Sequence, residues 1–264
     1  MSSRFQLAQA DIVQGLKSWR IWLLLGWQDI RIRYRRSILG PFWITLSMGV
    51  IICTMGLLYG HLFKVNLQEY LPFLAAGMLA WSFISTMLIE SPTMFVDSHL
   101  FIKQVKLPYT VFVMRMITRN TIIFLHNILI VVPVILFFHI TIGWSILMAI
   151  WGLFLIMATA FFYGLILACL NARYRDINPI IASLVQILFF LSPIMWPPQN
   201  LPARYSYVVQ YNPIAQYVGL LREPLLGHAP SLHTLLFTLG VTLFGTVLAV
   251  LFFVRSRHRI VFWL

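Results

Sequence analysis

Apolar side chains run in long blocks along this chain, and polar ones gather between them. The block from Phe42 to Phe63 holds 22 residues without one Asp, Glu, Lys or Arg, enough for a helix to cross a hydrocarbon layer of about 30 Å. Five further blocks follow, and the pattern predicts six membrane spans at about 42–63, 70–90, 120–142, 145–170, 179–196 and 232–254. Gly40-Pro41 ends whatever precedes the first span, and proline suits the first turn of a new helix, where its missing N–H costs nothing. The expected fold is an all-α membrane protein, with 1–264 forming a single transmembrane domain.

Ahead of the first span, residues 4–36 show a different period. Leu16, Trp19, Leu23, Trp27, Ile30 and Tyr34 recur every three or four residues, while Lys17, Gln28, Arg31 and Arg35 fall largely opposite. A helix with tryptophans on one face and basic residues on the other suits the plane of the membrane interface. An amphipathic helix packed on a partner protein has the same pattern. Arg31, Arg33, Arg35 and Arg36 crowd its end, and no charged side chain follows until Lys64, so this cluster is the candidate interfacial anchor.

Charge placement then orients the spans. Assigning the segments before the first span, between the second and third, between the fourth and fifth, and after the sixth to one side puts sixteen basic residues there. Only Lys64, Arg204 and Arg222 fall on the other side. That bias predicts a multi-pass membrane protein with both termini in the cytoplasm. Tyr70, Trp144, Trp196, Tyr205 and Tyr207 fall near the predicted outer boundaries, where amphipathic rings prefer to lie. With 60% hydrophobic and 10% charged residues, the composition is not that of a soluble domain. The net charge of +12 reflects the loop clusters, and no basic face with interleaved aromatics points to nucleic acid. No cleavable signal peptide is expected, since about 40 residues precede the first long block and Ile21–Leu25 is too short for its apolar core.

Little in the interior suggests catalysis. Asp11, Asp29, Glu69, Glu90, Asp97, Asp176 and Glu223 all fall at or outside the predicted span ends, whereas ion-coupled transporters place a carboxylate near midplane. His126 and Asn127 lie within the third span and read as an interhelical hydrogen-bonding pair. Cys53 and Cys169 read as small core residues, without a disulfide or metal role. No Gly-x-x-x-x-Gly-Lys-Ser/Thr segment occurs, so the chain has no P-loop of its own.

Two polar connections remain: Asp97 to Pro108, a short basic and apolar helix, and Asn171 to Pro179, a compact turn. Taken with their surroundings they form an ordered series. Arg-Tyr-Arg-Arg-Ser-Ile-Leu-Gly-Pro-Phe-Trp (33–43) comes first, then Phe-Ile-Lys-Gln-Val-Lys-Leu-Pro (101–108) and Ala-Arg-Tyr-Arg-Asp-Ile (172–177). Leu-Ser-Pro-Ile-Met-Trp (191–196), Tyr-Asn-Pro-Ile-Ala-Gln-Tyr (211–217) and Leu-Leu-Arg-Glu-Pro-Leu-Leu-Gly (220–227) complete it. Over nearly its whole length the chain resembles the permeases of type-2 ABC polysaccharide exporters, which move O-antigen, capsule or teichoic acid. The resemblance implies a dimer of two such permeases with two copies of a separate cytoplasmic P-loop ATPase. ATP and Mg would be bound there, leaving this chain without a cofactor and without catalysis. It also implies an interfacial helix at 4–36, a coupling helix at about 95–106 and short re-entrant helices at about 199–230.

From these segments come the candidate functional residues. Asp97, Phe101, Lys103, Arg173, Tyr174, Arg175 and Asp176 would contact the ATPase. Tyr59, Trp81, Phe83 and Trp196 are candidates to line a sugar path, because electron-rich ring faces stack on sugar C–H faces. Between the fifth and sixth spans, seven prolines cut about 35 residues into pieces too short to cross, yet too apolar for a free loop. Short helices dipping back into the outer leaflet satisfy both demands. They would place an exit gate at Pro193, Trp196, Asn212, Pro213, Arg222 and Glu223, with Asn212-Pro213 as the turn. The expected function is a permease for lipid-linked polysaccharide, working among membrane lipids beside a second copy of itself. A same-fold exporter of a drug or small lipid is the near alternative, and a secondary transporter or channel the distant one.

Overall fold

Among the described residues one helix, α4 (Leu67–Glu90), buries more side chains than any other, and its neighbours pack around it. The computed structural model describes residues 3–40, 42–63 and 65–264, which are helical and turn-forming with no strand. The expected helix start at Pro41 and the outer charge at Lys64 lie outside the described residues. From Leu74 to Ala80 every side chain of α4 is buried, and four of these seven residues are Ala or Gly. Small side chains on every face let neighbouring backbones approach from all directions, which suits packing within a bilayer.

The single amphipathic helix expected at 4–36 is two helices, α1 (Arg4–Lys17) and α2 (Trp19–Arg33). Ser18 makes the break: its hydroxyl donates to the Gln14 carbonyl at 2.7 Å, a local bond that competes with helix propagation. Arg35 and Arg36 fall beyond the second helix, in the turn that leads to the first span. Trp19, Leu23 and Trp27 point away from the bundle, while Ala8, Asp11, Gly15, Gly26 and Ile30 form the packed face. A Cβ on Gly15 would collide with the Thr110 hydroxyl, and one on Gly26 would stand 3.1 Å from Thr118. The small-residue face therefore binds the bundle, and the aromatic stripe faces outward.

Helix α3 (Phe42–Phe63) occupies the first predicted block, and α4 begins three residues before the second, with the Asn66 side chain accepting from the Gln68 N–H at 3.0 Å. Two short helices, α5 (Met94–Asp97) and α6 (His99–Gln104), replace the continuous helix expected at 95–106. The third span, α7 (Thr110–Phe137), starts ten residues earlier than the sequence pattern predicted, so Arg115 and Arg119 lie inside it and do not precede it. They are tolerated there because carboxylates on neighbouring helices face them. Helix α8 (Ile146–Arg173) matches the fourth block.

The fifth expected span is not a full-length helix. Helix α9 (Ile177–Leu191) has 15 residues and rises about 22 Å, short of the hydrocarbon thickness, and the chain leaves the helix at Ser192. Among the described residues five helices are long and apolar enough to cross: α3, α4, α7, α8 and α12 (Leu232–Ser256). Between α9 and α12 come 3₁₀ turns at Pro198–Asn200 and Ala203–Tyr205, then α10 (Ser206–Gln210) and α11 (Pro213–Leu225). After α12 the chain ends in a 3₁₀ turn and the short helix α13 (Ile260–Trp263). Asp11 of α1 bonds Arg257 just after α12, so both termini lie at one end of the bundle, here the basic end. Helix α11 lies among α4, α8 and α12 toward the opposite, far end.

Candidate functional site

At the basic end, α6 contributes no buried residue. Leu100, Phe101 and Val105 expose apolar surface beside Lys103 and Lys106, so the segment offers a short mixed ridge. Asp97, exposed at the end of α5, borders a polar recess of about 200 Å³ lined by Arg33, Glu90, Ser98, Arg115 and Arg119. The second coupling candidate is an ordered turn: the buried Asn171 side chain accepts from the Asn178 N–H at 3.1 Å and closes it. Arg173 lies over the rings of Tyr174 and Trp263, at 4.9 and 5.7 Å, and Arg175 donates to the Trp263 carbonyl at 3.4 Å. The C-terminal helix thus lies against this turn, and Asp176 remains exposed beside it.

Behind these surfaces lie two ionic clusters that the sequence reading did not identify. Asp29 of α2 receives both Arg115 (Nε at 2.8 Å, Nη2 at 2.5 Å) and Arg119 (Nη1 at 2.8 Å). Arg119 also donates to Glu90 at 2.7 Å, Asn120 donates to the same oxygen at 2.6 Å, and Arg33 stands 3.6 Å from Glu90. Asp11 of α1 is fully buried, accepts from the Thr110 N–H and hydroxyl at 3.2 and 3.1 Å, and pairs with Arg257 at 2.9 Å. It caps α7 from another helix, satisfying an N–H left free at a helix start. Arg257 also lies over the ring of Tyr109, whose phenol burial pushes up, keeping it a neutral neighbour. The signal in the sequence was the presence of two lone acids, Asp11 and Asp29, on helices whose other charged residues are all basic.

Toward the far end the hairpin candidates come together, in roles that differ from those expected. Asn212 and Pro213 are not a bare turn but a helix start: Asn212 is buried, accepts from the Ile214 and Ala215 N–H groups at 2.9 and 3.4 Å, and donates to the Ser192 hydroxyl at 2.9 Å. Arg222, expected near the mouth, is 5% exposed; it donates to the Pro193 carbonyl at 2.6 Å and lies 4.2 Å over the Phe73 ring. Glu223 beside it is half-exposed and 3.4 Å away. Trp196 donates to the Phe190 carbonyl at 3.1 Å, and Tyr70 to the Met195 carbonyl at 2.5 Å.

Deeper in the bundle, Thr159, Tyr217 and Thr242 form a triangle of hydroxyls at 2.7, 2.7 and 2.8 Å, joining α8, α11 and α12. It borders an apolar cavity of about 340 Å³ with Ile84, Met87, Tyr163 and Ile181 on its walls. Of the proposed path-lining aromatics, Trp81 and Phe83 are 8% and 3% exposed and pack on Phe189 and Phe124 within the chain. Both are packing residues of this subunit, because α4 is its core; Tyr59 on α3 is half-buried. His126 bonds the Ile122 carbonyl of its own helix at 2.8 Å rather than a neighbour, and the buried Asn127 Oδ1 has no hydrogen-bond partner among the described residues. Cys53 and Cys169 are free thiols, and no cluster of metal-ligating side chains occurs among the described residues.

A bundle of helices long and apolar enough to cross a bilayer, basic at one end and packed around a short helix toward the other, is that of a polytopic helical membrane protein. Residues 20–226 match the ABC-2 type transporter family, and the chain belongs to it. It is 23% identical over 239 residues to an O-antigen export system permease protein RfbA from Klebsiella pneumoniae, covering 88% of this chain and 90% of that one. A second Klebsiella pneumoniae protein of the same name is 23% identical over 201 residues, covering 74% and 76%. One from Myxococcus xanthus is 24% identical over 176 residues, covering 64% and 65%. The chain is therefore a transmembrane component of this family, whose permeases are generally non-catalytic.

Proposed function

We propose that this chain is the permease subunit of an ATP-driven exporter carrying lipid-linked polysaccharide, of O-antigen or capsule type, across the bacterial cytoplasmic membrane. The observation that carries this reading is the match, over most of the chain, to relatives named for O-antigen export. Two copies of the chain pair with two copies of a cytoplasmic P-loop ATPase, which binds ATP and Mg. The basic end faces the cytoplasm, as the positive-inside bias requires. Asp97, Phe101, Lys103 and the Arg173–Asp176 turn meet the ATPase, and its closure moves whole helices, because packed interiors shift as rigid bodies. Arg31, Arg33, Arg35 and Arg36 hold the interfacial helices at the anionic leaflet. The α10–α11 hairpin with Pro193, Trp196, Asn212 and Pro213 closes the outer exit.

Deleting the gene tests this directly. Surface polysaccharide should disappear while the lipid-linked chain accumulates inside, and an intact copy should restore export. Unchanged surface polysaccharide overturns the reading. In complemented cells, Asp97→Arg combined with Arg173→Glu should abolish export at a normal membrane level of the protein, and wild-type export would remove the coupling assignment.

A further inference from the structure

A sugar ring presents an apolar C–H face and a rim of hydroxyls, each both donor and acceptor. A site for one needs a flat apolar wall and uncommitted carboxylate or amide groups at its edge. A recess of about 350 Å³ at the far end, at the small end of the usual range for small-molecule sites, has this composition. Val65, Phe73 and Pro197 supply apolar wall, and Asn66, Glu69 and Gln199 supply polar groups. Glu69 and Gln199 are exposed and form no side-chain hydrogen bond or ion pair among the described residues. Asn66 uses its oxygen to cap α4, which leaves its NH₂ to donate.

The wall is also held in place. Tyr70 of α4 pins the Met195 carbonyl and Arg222 of α11 pins the Pro193 carbonyl, so the segment leading into Pro197 and Gln199 is fixed against both helices. Other ligand classes fit worse. A single carboxylate offers no cation cage, and Arg222, the nearby guanidinium, is buried and already bonded. A hydrocarbon tail would strand three polar side chains without partners. We propose that this recess binds one hydroxyl-rich sugar residue of the exported glycan as it leaves the hairpin. The inference rests on the exporter reading above and adds an outer contact that holds the chain in register between strokes.

Two arms test it. In cells whose surface glycan depends on this chain, a benzophenone amino acid replacing Gln199 should give a periodate-sensitive, high-mass adduct on irradiation. The same group at Trp144, at the far end but outside the recess, should give at least tenfold less. Glu69→Ala or Asn66→Asp, the latter keeping the cap, should cut the Gln199 adduct at least fivefold at equal membrane level. Equal labelling at Gln199 and Trp144, or an adduct indifferent to both substitutions, overturns the proposal. The second arm needs no export: purified protein in nanodiscs is mixed with maltotriose and methyl α-mannopyranoside, and saturation transfer to ring C–H protons is read by NMR. Transfer that vanishes in a Glu69→Ala, Phe73→Leu variant supports the site, and no transfer to either sugar overturns it. Export that proves independent of the chain overturns the exporter reading alone.

Discussion

The two ends of the bundle are held by different chemistry. At the basic end Asp11, Asp29 and Glu90 gather Arg33 of α2, Arg115 and Arg119 of α7, and Arg257 of the turn after α12. Toward the far end the hairpin is held by neutral groups: the Thr159–Tyr217–Thr242 triangle, the Asn212–Ser192 bond and the Gln216–Thr234 bond at 2.7 Å. Even Arg222 there bonds a carbonyl and a ring, with its adjacent carboxylate half-exposed. Depth explains the contrast. Near the headgroups the guanidiniums stay partly exposed, keep part of their hydration and gain from pairing, even with a carboxylate as buried as Asp11. Within the hydrocarbon, isolated charge is costly and hydroxyl-to-carbonyl bonds are the affordable polar tie.

The largest expected effect follows from removing the shared carboxylate. Asp29→Ala leaves Arg115 and Arg119 without it in a half-buried site and should cost about 3 kcal/mol, since breaking such a pair costs more than the pair gains. Thermal unfolding of the purified protein should show this as a clear drop in Tm, with Asp29→Asn recovering little. A variant as stable as wild type would mean the cluster is an incidental surface feature.

Next comes packing at the far end. A Cβ on Gly152 would stand 2.8 Å from the Leu220 carbonyl oxygen, and backbone cannot step aside as a side chain can. Gly152→Leu should separate α8 from α11 at about 1–3 kcal/mol, and it should expose Tyr217 and Gln216 to modification. Smaller still is the loss of one neutral bond: Tyr217→Phe should cost about 0.6–1.7 kcal/mol. Raising the salt from low to high should leave that cost unchanged while weakening the ion pairs of the basic end, which sharpens the contrast. Equal salt responses at both ends would break it. Smallest in stability is Lys103→Glu on α6, expected within about 0.5 kcal/mol because the helix buries nothing. Its effect should appear only in ATP-driven export, measured at equal membrane level.

Much of this arrangement was legible because bilayers constrain sequence strongly. The apolar block at 42–63 became α3 residue for residue, and the prolines between 193 and 230 marked a segment of short helices. The start of α7 was missed because an arginine within an apolar helix looks like its flank until a carboxylate from a distant segment is known to face it. Trp81 and Phe83 looked like path-lining residues because composition does not tell a buried ring from an exposed one. Ser18 splits the N-terminal helix through a one-turn local bond, a break hidden in the sequence because the amphipathic period runs on across it.

What the sequence determined by itself was the set of apolar helices, their order and the concentration of basic residues at one end, since length and charge report the cost of leaving water. Only the tertiary structure decided which acids meet which arginines, that α4 and not the first span is the core, and that α11 enters the bundle behind Arg222. Those outcomes depend on pairing between groups as far apart as Asp11 and Arg257, separated by 246 residues. A local pattern can state that a helix needs a partner, but shape and charge complementarity in three dimensions choose which one.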